Sequence, residues 1–210
     1  MMKFLVGLMV CSLGLSCSSA KLTDHWRNLE YKTISPKRVL VIGVTPNLEA
    51  RKAFEFQLAN ALNAYKINTM QSVVAFESVF HDAKRTEAEI KAQVDTLLSV
   101  GYDTVLMSAV KGVNEKASYS SKSAKTDYRL RKFIGYYLLY QEALFNQDYY
   151  TRYKVYTIET SLYHLEKVGR SNLVWTGFYD LVDPTDMKET IDLYVKAVIK
   201  ALEKEHIIEK

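Results

Sequence analysis

The chain has 210 residues, of which 48% are hydrophobic and 25% charged, and its formal net charge is +4. This size and composition predict a single domain with one hydrophobic core, because a chain of this length buries roughly 70% of its unfolded surface. The net charge is too small to indicate a nucleic-acid-binding protein, which usually carries a clustered basic face.

The start of the chain has the pattern of a signal peptide. Lys3 supplies a positive charge, and an apolar run over residues 4–15 follows it. At about a dozen residues, this run suits the core of a signal peptide and is too short to span a bilayer well. Cys17 comes directly after the run and after the small residue Ser16, an arrangement that resembles the lipobox of bacterial lipoproteins. The alternative is an ordinary signal peptide cleaved near Ala20.

The lipobox resemblance implies a lipoprotein signal peptide over residues 1–17 and a palmitate-containing lipid anchor on Cys17. It also implies a location at the outer membrane, with the folded part on the periplasmic side. Two or more acyl chains anchor a protein stably, so the domain itself then needs no membrane-binding surface. Residues 18–35 are predicted to be a tether and an N-terminal arm, and residues 36–210 a single α/β domain.

Strand and helix patterns alternate after the arm. A run of β-branched and apolar residues over 38–45 predicts a buried strand. Apolar residues at helical spacing follow it in the sequence and predict a helix with Asn47 as its N-cap. Residues 73–76 predict a second, short strand.

The second predicted helix has the clearest boundaries. Thr86 and Glu89 have the spacing of a capping box at its start, and Gly101 stands where a left-handed C-terminal cap is favoured. Residues 102–108 predict a third buried strand. Because strands alternate with helices, the order βαβαβ predicts right-handed crossovers and a parallel core.

The second half of the chain breaks this alternation. Residues 111–150 form an aromatic-rich insertion, in which residues 114–127 predict a loop and the pattern of residues 128–150 fits a helix and an extended segment equally. Residues 152–165 and 173–179 then predict a β-hairpin, and the pair Asp183-Pro184 opens a closing helix. The predicted fold is a single, three-layer-like α/β domain with a βαβαβ core, an added β-hairpin, a C-terminal helix and a mixed sheet.

Several stretches resemble a group of uncharacterised Gram-negative envelope lipoproteins. The resemblance rests on the lipobox-like start, the buried first strand, the closing helix and two short runs. The runs are Thr157, Thr160, Leu162 and Tyr163, followed by Leu173, Val174 and Trp175. These lipoproteins are similar in fold to the small α/β domain of the curli-secretion lipoprotein and to the amino-terminal domain of TolB. The resemblance therefore implies an α/β fold and no catalytic motif.

The motifs of common enzymes are absent from the sequence. It contains no Gly-x-Ser-x-Gly, no phosphate-binding loop ending in Gly-Lys-Ser/Thr and no His-Glu-x-x-His. His81 lies beside Asp82 and His164 lies near Glu166, but neither pair has a third partner at metal-ligand spacing. We expect both pairs to be solvated, which predicts no metal, no cofactor and no catalytic residue.

A ligand-binding mouth is predicted at Thr45 and Asn47. These residues follow the first buried strand, and α/β sheets often bind ligands outside the carboxyl ends of their strands. A helix N-terminus at this point could hold an anion. The segment lacks the glycines of a pyrophosphate-binding loop, however, and a capping role for Asn47 is the simpler interpretation.

Tyrosines dominate the insertion and the start of the hairpin. They are interleaved with lysines and arginines and predict an aromatic binding surface, since tyrosine offers a large amphipathic contact area at low entropic cost. The candidate residues are Tyr136, Tyr137, Tyr140, Tyr149, Tyr150 and Tyr153. The alternative is that these rings cover the sheet and close the core. Single-stranded nucleic acid also stacks on such residues, but the envelope location argues against that partner.

Three functional hypotheses follow. The leading one is a non-catalytic, periplasm-facing lipoprotein that acts as a binding or assembly factor at the outer membrane and captures an envelope protein or a glycan. The alternative is an envelope sensor that binds a small ligand or a glycan at the mouth near Thr45. The third is a hydrolase with an unrecognised site around His81 or His164. Homo-oligomerisation through an edge strand is compatible with each.

Overall fold

The computed structural model describes residues 20–31, 34–76, 83–111, 132–135, 137–138, 141, 155–166, 173–182 and 186–209. The strands are β1 (Ala20–Arg27), β2 (Arg38–Val44), β3 (Asn68–Gln71), β4 (Thr104–Lys111), β5 (Val155–His164) and β6 (Leu173–Val182). The helices are α1 (Leu48–Asn63), α2 (Ser72–Ala75), α3 (Glu87–Ser99) and α4 (Met187–Lys204).

The strands form one 6-stranded mixed sheet in the order β1-β6-β5-β4-β2-β3. Strands β3, β2 and β4 are parallel to one another, whereas β5, β6 and β1 are added in antiparallel steps. This arrangement confirms the predicted α/β domain with a βαβαβ core, an added hairpin and a closing helix. Strands β2, β4 and β6 all finish at the same end of the sheet, which we call the carboxyl end.

Helices cover both faces of the sheet, as the three-layer prediction requires. Helices α1 and α4 pack on one face, and α3 packs on the other. The central strand β2 contributes to both cores: Val39 and Val41 lie on the α1 side, and Leu40 and Ile42 on the α3 side. All four side chains are buried, which explains the continuous apolar run. Within the described part of the chain, no helix is long and apolar enough to cross a membrane.

The helix termini follow from local hydrogen bonds. Oδ1 of Asn47 accepts from the backbone N of Ala50 at 3.0 Å, which confirms the predicted N-cap of α1. Thr86 and Glu89 form the predicted capping box of α3. Gly101 follows this helix with a φ of +88°, a left-handed conformation that glycine adopts without steric cost.

The N-terminal segment differs from the predicted tether and arm. Residues 20–27 form β1, which pairs with β6 so that Ala20 stands opposite Leu181. Ala20 is buried in the core on the α1 and α4 side, and Leu22 packs against that core. The other residues of this edge strand are mostly polar, so its apolar alternation is too weak to predict a strand. The described part of the domain therefore begins at Ala20, close behind Cys17 in the sequence.

Two further boundaries differ from the prediction. Strand β3 is Asn68–Gln71, which pairs in parallel with β2, whereas residues 73–76 belong to the helical turn α2 and the position after it. Helix α4 begins at Met187, later than the predicted Asp-Pro start. The reason is that Oδ1 of Asp186 accepts from the backbone N of Glu189 at 2.8 Å and caps the helix there.

A buried ion pair fastens α1 to the sheet. Glu55 and Arg51 are both buried, and Nε of Arg51 donates to Oε1 of Glu55 at 3.0 Å. The same oxygen accepts from N of Gly43 on β2 at 2.9 Å and from Oγ of Ser72 at 2.7 Å. Oε2 accepts from N of Val73 at 3.0 Å. One carboxylate thereby joins α1, β2 and the start of α2.

We expect Glu55→Ala to lower the free energy of unfolding by about 3–5 kcal/mol, because it leaves the guanidinium of Arg51 buried without its counter-charge. It also removes the acceptor of two backbone N–H groups. Urea unfolding followed by circular dichroism measures the change. Glu49→Ala, at an exposed position of the same helix, should cost less than about 0.5 kcal/mol. Equal losses in both variants would contradict this role of the ion pair.

Candidate functional site

A cavity of about 300 Å³ opens at the carboxyl end of the sheet. It lies between the N-terminal turns of α1 and α4 and against strands β2, β4, β5 and β6. The lining residues are Gly43, Val44, Thr45, Pro46, Asn47, Ala50, Phe54, Ser108, Val110, Tyr156, Ile158, Leu181, Met187, Thr190, Ile191 and Tyr194. Most of these side chains are apolar, so the cavity suits an apolar group.

One wall of the cavity depends on the close approach of α1 to β2. A Cβ atom on Gly43 would lie 3.2 Å from Cδ1 of Phe54 and 3.3 Å from Cγ of Arg51. The glycine therefore lets the Phe54 ring pack directly on the strand backbone. The same ring stacks on Tyr194 of α4, with centroids 5.5 Å apart and an interplanar angle of 26°. This contact links the two helices that border the cavity.

Three buried hydroxyl groups meet behind the inner wall of the cavity, and two of them, those of Ser108 and Tyr194, belong to residues of its lining. Oγ of Ser108 and Oγ1 of Thr160 are 3.1 Å apart. The hydroxyl of Tyr194 donates to Oγ of Ser108 at 3.0 Å and is also hydrogen-bonded to Oγ1 of Thr160. Each hydroxyl has one hydrogen, so the closed set of three bonds uses all three donors. This hydroxyl ring offers lone pairs but no donor to a ligand.

Burial makes Tyr194 and its neighbour Tyr179 still harder to ionise than an ordinary tyrosine, which is already neutral at neutral pH. It raises the pKa of Tyr194, and the hydrogen bonds with Ser108 and Thr160 offset only part of the rise. Burial likewise raises the pKa of Tyr179, whose ring packs against that of Tyr194 with centroids 5.2 Å apart. Neither phenol can therefore ionise near neutral pH and act as a base.

The two predicted mouth residues, Thr45 and Asn47, both line this cavity. Asn47 makes the N-cap hydrogen bond to Ala50, and Oγ1 of Thr45 accepts from the backbone N of Asn47 at 3.3 Å. Their polar atoms thus stabilise the start of α1. The structure brings the two residues together at a cavity, and ligand binding there stays a prediction.

Tyr137 belongs to the core rather than to an exposed aromatic surface. It is 4% exposed, and its ring packs on that of Phe133, which in turn contacts Tyr163 of β5. The expectation of exposure is wrong for this residue because a helical stretch of the insertion covers the sheet beside α3. The remaining candidates lie outside the described residues: Tyr136, Tyr140, Tyr149, Tyr150 and Tyr153.

His164 lies at the other end of the sheet from the cavity, where β5 finishes. Its ring contacts that of Tyr31 at a centroid distance of 6.0 Å, and the hydroxyl of Tyr31 donates to Glu166 at 3.2 Å. His81 and Cys17 lie outside the described residues. Over the described ranges, no group of three or more His, Cys, Asp or Glu side chains could hold a metal ion.

The hydroxyl ring has only a weak signal in the sequence. Tyr194 repeats at helical spacing with the apolar residues of α4, and Ser108 finishes an apolar strand run, so each resembles an ordinary core position. The antiparallel pairing of β4 with β5 places Ser108 opposite Thr160. A polar residue within each apolar pattern is the only local indication of the ring.

The described residues form a mixed α/β domain with an apolar cavity and no recognisable catalytic arrangement. The sequence matches no family model and no curated protein. The fold is similar to the PelC dodecamer from Paraburkholderia phytofirmans, with a TM-score of 0.45, 12% identity, and coverage of 91% of this chain and 99% of that chain. It is also similar to lipoprotein GNA1162 from Neisseria meningitidis, with a TM-score of 0.40 and 14% identity. That match covers 80% of this chain and 99% of the Neisseria chain. These values identify neither a family nor a function.

The buried phenols should make the protein less stable at high pH. Burial raises the pKa values of Tyr163, Tyr179 and Tyr194 in the folded chain, so the unfolded chain loses these protons first as the pH rises. We expect the free energy of unfolding to be unaffected by these groups below about pH 10 and to decrease above it. Urea unfolding at a series of alkaline pH values measures the slope. Tyr194→Phe should make the decrease of the unfolding free energy with pH shallower. An unchanged slope would contradict the raised pKa of Tyr194 in the folded chain.

Proposed function

We propose that the chain is a non-catalytic lipoprotein, tethered to the outer membrane through lipid on Cys17 and facing the periplasm, that binds an apolar group in its cavity. The observation that carries the proposal is the cavity itself, an apolar space of about 300 Å³ between α1 and α4. Ligand pockets in proteins begin at about this size and are lined mainly by apolar side chains.

The polar groups at the inner wall of the cavity favour a neutral ligand group at that wall over an anionic one. A carboxylate or phosphate needs hydrogen-bond donors, but the donors of Ser108, Thr160 and Tyr194 are used within the hydroxyl ring. The remaining lone pairs can accept from a ligand hydroxyl or amide. The expected ligand is therefore an alkyl or ring compound with at most a hydroxyl or amide at its inner end. A glycan, which is polar over most of its surface, fits less well.

The same residues argue against catalysis at the cavity. A nucleophilic serine requires an adjacent base, whereas the hydrogen bonds of the Ser108 side chain are those with Thr160 and Tyr194. The phenol of Tyr194 stays protonated and cannot serve as that base. The lining within the described residues contains no His, Cys, Asp or Glu.

Capture of an envelope protein through the aromatic insertion stays a prediction. Tyr137 lies in the core, and the other candidate tyrosines lie outside the described residues. Homo-oligomerisation also stays a prediction, for which β1 and β3, the edge strands of the described sheet, are the candidate elements. Nucleic acid, metal ions and cofactors have no part in the proposal.

Lipid attachment is tested with Cys17→Ala in the full-length chain, expressed in a Gram-negative host. We expect the wild type to incorporate labelled palmitate and to fractionate with the outer membrane. The variant should incorporate none and should retain its signal peptide, because Cys17 is the residue that is both modified and exposed by cleavage. Intact-mass spectrometry measures the attached lipid and the presence of the signal peptide, and membrane fractionation measures the location. Cys11→Ala is the matched control and should behave as the wild type, whereas cleavage of the wild type near Ala20 would refute the anchor.

Filling the cavity tests ligand binding. Ala50 lines the cavity, and Ala50→Trp places an indole ring in it. We expect this variant to lose most of the fluorescence that the apolar probe N-phenylnaphthylamine gains on binding the wild-type protein, because the ring occupies the space of the probe. Fluorescence titration measures the loss.

Asn60→Trp is the matched control for this substitution, because position 60 is exposed on the same helix. It should bind the probe as tightly as the wild type does. Thermal melting followed by circular dichroism should show a cooperative transition for both variants. Undiminished probe binding by a folded Ala50→Trp protein would exclude the cavity as the binding site.

A further inference from the structure

Three of the six exposed large apolar side chains among the described residues lie at the carboxyl end of the sheet. Leu48 begins α1, Val74 lies in α2 and Met187 begins α4, with exposed fractions of 54%, 64% and 41%. Each of these helices follows a strand that finishes at or near this end. Single exposed apolar residues are common on protein surfaces and indicate little by themselves. Their shared position becomes informative because of where the chain enters the sheet.

The chain enters the sheet at this same end. Ala20, the first residue of β1, stands opposite Leu181, which lies near the finish of β6 and lines the cavity. Only Ser18 and Ser19 separate Ala20 from Cys17. An extended chain between Cys17 and Ala20 spans at most about 10 Å. A lipid on Cys17 therefore holds the carboxyl end of the sheet close to the bilayer surface.

We propose that the carboxyl end docks on the bilayer itself and that Leu48, Val74 and Met187, here called the docking face, enter the boundary between headgroups and acyl chains. The proposal rests on the anchor at Cys17 in the proposed function and adds to it a second, direct membrane contact. Apolar side chains gain free energy by leaving water at this boundary. A short tether keeps the bilayer at high local concentration, so modest apolar contacts suffice.

Among the described residues, the first turns of the two longer helices beside the docking face carry no excess of basic side chains, and Asp186 at the cap of α4 adds one acidic group. In the first turns of α1 and α4, Glu49 is balanced by Lys52, and Lys188 by Glu189. Attraction to anionic headgroups requires an excess of basic residues, which these pairs do not provide. The apolar side chains are therefore the source of affinity, and zwitterionic phosphatidylcholine is a sufficient probe.

Docking also brings the cavity to the membrane. Pro46 and Met187 belong to its lining and lie at the carboxyl end. An apolar molecule can then pass between the bilayer and the cavity with little exposure to water. The ligand class narrows accordingly to neutral compounds that dissolve in membranes.

Depth measurements on the lipidated, mature protein test the docking. Cys17 is modified in this protein and Cys11 is removed with the signal peptide, so an introduced cysteine is the single free thiol. The variants Leu48→Cys, Val74→Cys and Met187→Cys are each labelled with the environment-sensitive fluorophore NBD and placed in phosphatidylcholine vesicles. We expect the emission to shift to shorter wavelength and to be quenched by lipids brominated on their acyl chains.

Leu29 and Val100 provide matched controls, because they are apolar residues with exposed fractions of 79% and 51% at the opposite end of the sheet. Leu29→Cys and Val100→Cys, labelled in the same way, should show neither the shift nor the quenching. Equal quenching at both ends, or quenching at neither, would overturn the docking. Mass spectrometry that finds no lipid on Cys17 would instead overturn the anchor of the proposed function.

A second measurement separates docking from anchoring. A chain that starts at Ser18 keeps every described strand and helix but cannot carry the lipid. With phosphatidylcholine vesicles in large excess, which replaces the high local concentration supplied by the tether, this chain should float. Its flotation should fall at least about tenfold when the docking face is replaced by three serines, since each replacement removes an apolar contact with the bilayer. Serines at the two control positions should leave flotation unchanged. With folding of both variants verified by circular dichroism, equal flotation would refute the docking face.

Discussion

The carboxylate of Glu55 is the contact on which the carboxyl end of the sheet depends. It neutralises Arg51 and accepts from the backbone N–H groups of Gly43 and Val73, which lie on different elements. Because a buried charge without its partner costs several kcal/mol, α1, β2 and α2 cannot separate independently. The position of α1 on β2 then places Phe54 over Gly43, and this contact forms one wall of the cavity.

The direction of the added strands decides which features meet at this end. Since β5 and β6 are added in antiparallel steps, β6 runs in the same direction as β4, and α4 begins beside the start of α1. The space between the first turns of these helices is the cavity. Strand β1 runs against β6 and so begins at the same end, with Ala20 opposite Leu181. One topology therefore brings together the start of β1, the cavity and the exposed Met187.

Local chemistry predicts much of this fold but little of the site. The caps at Asn47 and Thr86 are readable because their hydrogen bonds join near neighbours, and the α/β class implied by the resemblance to envelope lipoproteins is confirmed, while the family itself stays a prediction. The apolar run at residues 73–76 predicts a strand, but Val73 lies in the helical turn α2. Its backbone N donates to Glu55 of α1, so a tertiary contact here overrides the strand propensity of the local sequence. The hydroxyl ring depends on strand register and helix packing, which no local pattern encodes.

A closed set of hydrogen bonds supports the proposal that the cavity binds a ligand rather than performing chemistry. Catalysis requires groups that interact more strongly with a transition state than with the substrate, commonly donors aimed at developing negative charge. The donors of Ser108, Thr160 and Tyr194 are instead directed at one another, and burial holds the phenol neutral. Such a wall presents satisfied polar atoms beside apolar side chains, so it accommodates a neutral apolar molecule without leaving a buried polar group unpaired. If Cys17 carries the proposed lipid, the short connection to β1 places this wall near the lipid phase of the envelope, from which such molecules would come.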